Sequence, residues 1–225
     1  MDFVRALSFP FDDDEWLKKL GIAVLVQFIP IVGQMILQGW SFQISQRVKR
    51  GDPEALPGWD EFGEFLRQGF SITLANLIYQ IPTLIFICLA SFAWVLPAAS
   101  SGSDVEGLLT GLGVAAAVCL SCVILLYALA AAVVFFGGYV RYVDDPQLSV
   151  FFQFGENFAL VREYVGDFGM AVLYILLAGV IVSAATAITA GIGALVSTPF
   201  IMYFMGHILG QLSGRVRGSY AAPAV

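Results

Sequence analysis

The amino-acid sequence predicts an all-α protein, a polytopic bundle of transmembrane helices, and three observations support that prediction. The 225 residues are 59% hydrophobic and 12% charged, whereas soluble domains carry about 25% charged residues. The mean hydropathy is +0.83. Charge-free stretches as long as the roughly 20 apolar residues that cross a bilayer occur at 20–46, 68–103, 107–140 and 168–214.

The last of these stretches is too long for one crossing, and its glycines Gly191 and Gly193 predict a hairpin of two spans. About five spans result, near 20–46, 70–97, 108–140, 168–189 and 193–213.

The first span is interrupted by Pro30, which removes a backbone hydrogen bond and bends a helix. Segment 17–46 is therefore either one kinked, tilted span or two half-helices that form a re-entrant hairpin. We favour the kinked span.

The positions of lysine and arginine predict the orientation in the cell membrane. In the five-span arrangement, eight of these residues lie on one face and three, Arg5, Lys18 and Lys19, on the other. Because cytoplasmic loops carry the excess of positive charge, loops 47–68 and 141–167 are expected in the cytoplasm. A kinked first span then places the N-terminus on the opposite face.

Internal repetition predicts how the single integral membrane domain, residues 1–225, is organised. The run Asp60–Phe65 resembles Gln153–Phe158, and an Asp-Pro step precedes each run. Each unit is a span, a cytoplasmic amphipathic helix and a second span, so the two repeats are parallel. The predicted parts are an extramembrane or interfacial N-terminus (1–18), repeat one (20–97), repeat two (108–189), a last span (193–213) and a cytoplasmic tail (214–225).

Amide side chains and one histidine form the first candidate site. The predicted spans contain no Asp, Glu, Lys or Arg, the residue types that mark ion pathways in membranes. Amides within hydrocarbon seek hydrogen-bond partners, so these residues either join the helices, which we favour, or line a polar groove. The residues are Gln27, Gln34, Gln38, Asn76, Gln80, His207 and Gln211.

Aromatic side chains of the two amphipathic helices form the second candidate site. Their helical spacing predicts a surface that docks a partner or lipid headgroups, or one that seals the inner face of the bundle, the interpretation we favour. The residues are Trp59, Phe62, Phe65, Phe151, Phe154 and Phe158.

Catalytic, metal and cofactor sites are not predicted. The sequence has no nucleophile, zinc or phosphate-loop motif, and its three cysteines lie in apolar runs. Its net charge of −6 argues against a nucleic-acid partner. We therefore expect no enzyme activity.

Several segments together resemble an uncharacterised prokaryotic membrane-protein family, domain of unknown function 4013. They are Pro10-Phe11, Trp16–Lys19, Ile29–Gly33, Gly39-Trp40, Leu56–Gly63, Gly69 and Gly206–Gln211. The resemblance covers most of the chain, and the Leu56–Gly63 run is its most specific part. It implies a cell-membrane protein of about this length and transfers no activity or site residue.

The sequence leaves two functions open. The first is a non-catalytic scaffold or accessory subunit, whose partners are the lipid bilayer, other membrane proteins or a second copy of itself. The alternative is a small permease-like transporter of a neutral or amphiphilic solute. A cavity onto which the polar side chains converge would favour the alternative.

Overall fold

The computed structural model describes residues 1–53, 56–99, 106–191 and 193–216, and these residues form α-helices and short 3₁₀ turns without a strand. The helices are α1 (Phe3–Ser8), α2 (Trp16–Val26), α3 (Val32–Arg50), α4 (Phe62–Ala99), α5 (Glu106–Tyr142), α6 (Phe154–Glu163), α7 (Val165–Ile188) and α8 (Ala194–Val216). Among the described residues, α4, α5, α7 and α8 are long and apolar enough to cross a membrane. The predicted polytopic helical bundle is confirmed, with four such helices in place of about five.

The missing span is the first, and the expectation of one kinked crossing is wrong. The chain turns at Pro30 and at Ile31, whose φ is +63°, and the turn separates α2 from α3. The 11 residues of α2 extend about 16 Å at 1.5 Å per residue. That length cannot cross the roughly 30 Å of bilayer hydrocarbon.

Helices α2 and α3 instead form an antiparallel hairpin. At its tip, a Cβ built on Gly33 would lie 2.0 Å from the Val26 carbonyl oxygen, so the two helices touch there. Toward its base, the Lys19 carbonyl oxygen accepts a hydrogen bond from the Trp59 indole at 2.8 Å. Trp59 in turn stacks on Trp40 of α3, with ring centroids 5.5 Å apart.

This hairpin also corrects the predicted position of the N-terminus. The Asp2 backbone N–H donates to Gln211 Oε1 at 2.6 Å, and Gln211 Nε2 donates to the Asp2 carbonyl oxygen at 3.1 Å. Gln211 lies in the last two turns of α8. The N-terminal segment therefore lies at the same end of the bundle as the end of α8, not at the opposite end.

The centre of the fold is the parallel pair α3 and α8. A Cβ built on Gly206 would lie 2.4 Å from the Ser41 carbonyl oxygen, and one on Gly210 would lie 2.6 Å from that of Ser45. Contacts this short require glycine, so the backbones pack directly. The Ser45 hydroxyl donates to the Gly206 carbonyl oxygen at 2.9 Å.

Helices α4 and α5 join this pair as a long hairpin. Helix α4 crosses α3 at Gly39, where a built Cβ would lie 1.9 Å from the Phe65 carbonyl oxygen. Tyr127 of α5 donates its hydroxyl to the Tyr79 carbonyl oxygen of α4 at 2.8 Å. The first predicted amphipathic helix is the opening of α4 itself, whereas the second is the separate helix α6.

Candidate functional site

A cavity of about 270 Å³ lies between α3, α4, α5 and α8. Its polar wall includes Gln38 of α3 with Asn76 and Gln80 of α4. Its apolar wall comes mainly from α5 and α8, and no described lining side chain is charged. The arrangement offers hydrogen bonds on one side and hydrocarbon contacts on the other.

Small side chains on α5 make room for this cavity. Ala128, Ala131 and Ala132 follow an i, i+3, i+4 spacing, which places them on one helical face toward the cavity. The candidate-site prediction missed these residues, because alanine carries no chemical signal. Their helical spacing was the only sign available in the sequence.

The amides on the polar wall differ in their hydrogen bonding. Gln38 Oε1 accepts a hydrogen bond from the Thr73 hydroxyl at 3.1 Å. Asn76 and Gln80, one turn apart on α4, are exposed and have no hydrogen-bonded partner within the described part of the chain. An amide without a partner in an apolar medium is costly, so this wall favours a hydrogen bond from water or a ligand.

His207 and Gln211 lie away from the cavity, in a buried cluster beneath the N-terminal segment. Gln211 Nε2 lies 2.8 Å from His207 Nδ1, and the Phe9 ring stacks on the imidazole at 4.5 Å. His207 is 5% exposed and Gln211 2% exposed. These two residues hold the N-terminus against α8.

The two remaining predicted polar residues lie near the tip of the α2–α3 hairpin. Gln27 donates its side-chain amide to the Leu195 carbonyl oxygen at the start of α8. Gln34 is exposed. The structure therefore brings together Gln38, Asn76 and Gln80 and separates them from the other four predicted residues.

The predicted aromatic surface divides into buried and exposed residues. Phe65 and Phe151 are fully buried, whereas Phe62 is 38%, Phe154 55% and Phe158 54% exposed. Trp59 is partly buried between α2 and α3. Only the exposed phenylalanines remain available to lipid or a partner.

The segment Leu56–Trp59 covers the outer side of α3. Trp40 donates its indole N–H to the Pro57 carbonyl oxygen at 3.2 Å, below the stacked ring of Trp59. Lys19 donates its ammonium group to the Leu56 carbonyl oxygen at 3.1 Å. The most specific run of the family resemblance thus fastens the α2–α3 hairpin to α4.

A third polar cluster joins α5 to α6 and was not predicted. The Asn157 side chain is fully buried and donates to the carbonyl oxygens of Val150 and Phe151 at 3.0 and 3.1 Å. Its Oδ1 accepts from Arg141 at 2.8 Å. Every polar atom of the Asn157 amide is therefore engaged within the protein, which marks a structural role.

Among the described residues, no group of three His, Cys, Asp or Glu side chains is placed to hold a metal ion.

Comparison with known families matches residues 22–196 to "Protein of unknown function (DUF4013)". The chain belongs to this family. The resemblance predicted from the sequence is thereby confirmed. No curated protein and no solved structure matches the chain.

The DUF4013 match runs from α2 into the start of α8. It includes the cavity residues of α3, α4 and α5. It does not include α1, His207 or Gln211, so the cluster beneath the N-terminus lies outside the matched residues.

Proposed function

We propose that this DUF4013 protein is a non-catalytic membrane scaffold or accessory subunit that binds another membrane protein along the α4–α5 hairpin. The length of the hairpin carries the proposal. Helices α4 and α5 contain 38 and 37 residues, whereas α7 and α8 contain 24 and 23. At 1.5 Å per residue the hairpin is about 55 Å long.

The length of this hairpin exceeds the roughly 30 Å thickness of the bilayer hydrocarbon. At a tilt of 40°, the upper end of the usual range, a 55 Å helix still spans about 42 Å along the membrane normal. The distal part of α5 is apolar and exposed, as Leu108 and Leu112 show with 65% and 59% exposure. A partner protein covering this part removes apolar surface from the bilayer edge and from water.

Photocrosslinking in intact cells tests this proposal. We expect p-benzoylphenylalanine at Leu112 to form one covalent adduct of defined mass, identified by mass spectrometry as the same membrane protein in repeat preparations. Leu176 of α7 is the matched control, since it is a leucine of similar exposure, 62%. Identical adduct patterns at both positions, or lipid adducts alone at Leu112, would refute the proposed scaffold function.

We also propose that the end of the bundle bearing the N-terminal segment faces the cytoplasm of the cell. Stretches 68–140 and 168–214 contain no lysine or arginine, and the described lysines and arginines lie in the segments at that one end. Every short loop there is consequently richer in positive charge than the opposite end, the pattern of cytoplasmic loops. Loops 47–68 and 141–167 belong to this end.

Reporter fusions test the topology. A green fluorescent protein fused to either terminus is expected to fluoresce, and alkaline phosphatase inserted within residues 100–105 is expected to be active. If the two termini report opposite faces of the membrane, the α2–α3 hairpin is excluded and the number of membrane crossings is odd.

The internal repeat is a further part of the proposal, with α3–α4 as one unit and α5–α6–α7 as the other. In both units a glycine of the first helix meets a backbone carbonyl of the following aromatic helix. A Cβ on Gly39 would lie 1.9 Å from the Phe65 oxygen, and one on Gly137 would lie 2.4 Å from the Asn157 oxygen. Equal losses of stability in Gly39→Ala and Gly137→Ala are expected, and a neutral Gly137→Ala would contradict the equivalence.

A second candidate function is a small permease-like transporter, which the polar-walled cavity favours. It predicts that the reconstituted protein accelerates glycerol-driven swelling of liposomes. Swelling at the rate of protein-free liposomes would exclude it for this solute class.

A further inference from the structure

The cavity between α3, α4, α5 and α8 contains hydrogen-bonding groups that the protein leaves unused. The side chains of Asn76 and Gln80 each offer an N–H donor pair and a carbonyl acceptor. No described protein group bonds to them. Their spacing of one helical turn lets both amides engage one ligand group with two adjacent polar atoms.

The size of the cavity limits what it can hold. A volume of about 270 Å³ equals roughly nine water molecules at about 30 Å³ each. This holds a small polar group with a short length of one chain, and it is too small to enclose two acyl chains. A longer chain would leave the cavity where Ala128 and Ala132 are exposed.

Because no described lining residue is charged, the polar group of a ligand in this cavity is expected to be uncharged. A carboxylate, phosphate or ammonium group placed here would be desolvated without an opposite charge, which is strongly unfavourable. Hydroxyl, ester and amide groups can bond to Asn76 and Gln80 without that penalty. The apolar wall, with Phe135 and Met205, suits the hydrocarbon that follows such a group.

We propose that this cavity is a binding site for an uncharged single-chain amphiphile that enters from the bilayer, its hydroxyl or ester group bonded to Asn76 and Gln80. The site goes beyond the scaffold function and does not depend on it, because the crosslinking position Leu112 lies outside the cavity lining.

Photolabelling of the full chain in phosphatidylcholine nanodiscs tests the site. The probe is a monoacylglycerol with a diazirine in its acyl chain, and labelled peptides are mapped by mass spectrometry. Labelling is expected on residues 72–80 and 128–136. Unlabelled monoacylglycerol is expected to compete, whereas palmitate, with a similar chain and an anionic head, is not.

Variants separate a specific site from general lipid contact. Ala131→Phe fills the cavity and is expected to reduce labelling at least tenfold, whereas Ala130→Phe, at an exposed position outside the lining, leaves it unchanged. Asn76→Leu and Gln80→Leu each remove one ligand bond and are expected to reduce labelling about threefold to tenfold.

Three results would overturn the proposal. They are equal labelling in Ala131→Phe and Ala130→Phe, full labelling in the Asn76→Leu/Gln80→Leu double variant, and equal competition by palmitate. Gel filtration reports folding of each variant. The double variant changes exposed side chains only, so it decides the question even where Ala131→Phe fails to fold.

Discussion

Helices α8 and α5 are both able to cross a membrane, yet their surroundings are opposite. The most apolar window of α5 has a mean hydropathy of 2.7, and none of it is buried within the protein. The corresponding window of α8 has a mean hydropathy of 1.2, and 56% of it is buried. The more apolar helix is thus the one that faces outward.

This difference follows from the solvent. Lipid tails are as apolar as leucine, so burying leucine against protein gains little in a bilayer. Close backbone packing and hydrogen bonds gain more, and α8 supplies both through Gly206, Gly210, Gln211 and Ser213. Helix α5 exposes leucines such as Leu125 and Leu126, at 61% and 70%, which lipid or a partner covers.

Substituting glycine on the two helices tests this contrast with the largest expected effect. In Gly206→Ala the new methyl group would lie 2.4 Å from the Ser41 carbonyl oxygen, so α3 and α8 must separate. We expect the free energy of unfolding to fall by about 3 kcal/mol, measured by circular dichroism during titration with sodium dodecyl sulfate.

The matched control is Gly111→Ala on α5, where a built Cβ meets nothing within 4 Å. Because alanine favours the helix over glycine by up to about 1 kcal/mol, this variant is expected to be unchanged or slightly more stable. Equal destabilisation by both variants would show that α5 is packed against protein as tightly as α8.

Amides on buried and exposed faces are expected to differ in the same way, with a smaller effect. Gln211→Leu leaves the Asp2 backbone N–H and the buried His207 Nδ1 without this partner, whereas the Asp2 carbonyl oxygen keeps its bond from the Ala6 N–H. Unpaired buried polar groups cost about 1–3 kcal/mol, so we expect a loss near 2 kcal/mol. Hydrogen exchange at Asp2–Leu7 is expected to accelerate as the N-terminal segment detaches.

Gln80→Leu serves as the control on the exposed side. Gln80 has no partner within the described residues, so its removal breaks no hydrogen bond of the protein. Its unfolding free energy is expected to stay within about 0.5 kcal/mol of the parent protein, as for most surface substitutions. A loss equal to that of Gln211→Leu would mean that burial does not distinguish these amides.

Much of the fold could be predicted because apolar length is a local property. Helices α4 and α5 each coincide with a long charge-free stretch, and α7 and α8 share the last one. The α2–α3 hairpin could not be chosen over one kinked span that way, since its residues form one stretch of span length. The reversal depends on the positive φ of Ile31 and on contacts from Trp59, which lies far along the chain.

The candidate site could be predicted only as sets of polar side chains on separate helices. Spacing places Gln38 on one face of α3 and Asn76 with Gln80 on one face of α4, but it does not say which faces meet. The face of α8 with His207 and Gln211 meets the N-terminal segment, a pairing set by Asp2 and Phe9. Neither residue carries a sequence signal for this contact.

The smallest predicted effect concerns the polar tie that holds α5 to α4. The Tyr127 hydroxyl donates to the Tyr79 carbonyl oxygen at 2.8 Å, and Tyr127→Phe removes only this bond. Interhelical hydrogen bonds in membranes average about 0.6 kcal/mol, so a loss of that order is expected in the same titration. Tyr174→Phe, whose hydroxyl has no hydrogen bond within the described residues, is expected to be neutral.

A loss near 0.6 kcal/mol fits a helix whose most apolar part is unburied within the protein, because apolar contacts with α4 remain after the bond is gone. A loss of about 3 kcal/mol, the size expected for Gly206→Ala, would contradict this description of α5. It would mean that the α4–α5 hairpin depends on polar contacts as α8 does. High hydropathy and outward exposure would then not weaken the packing of a helix against the rest of the protein.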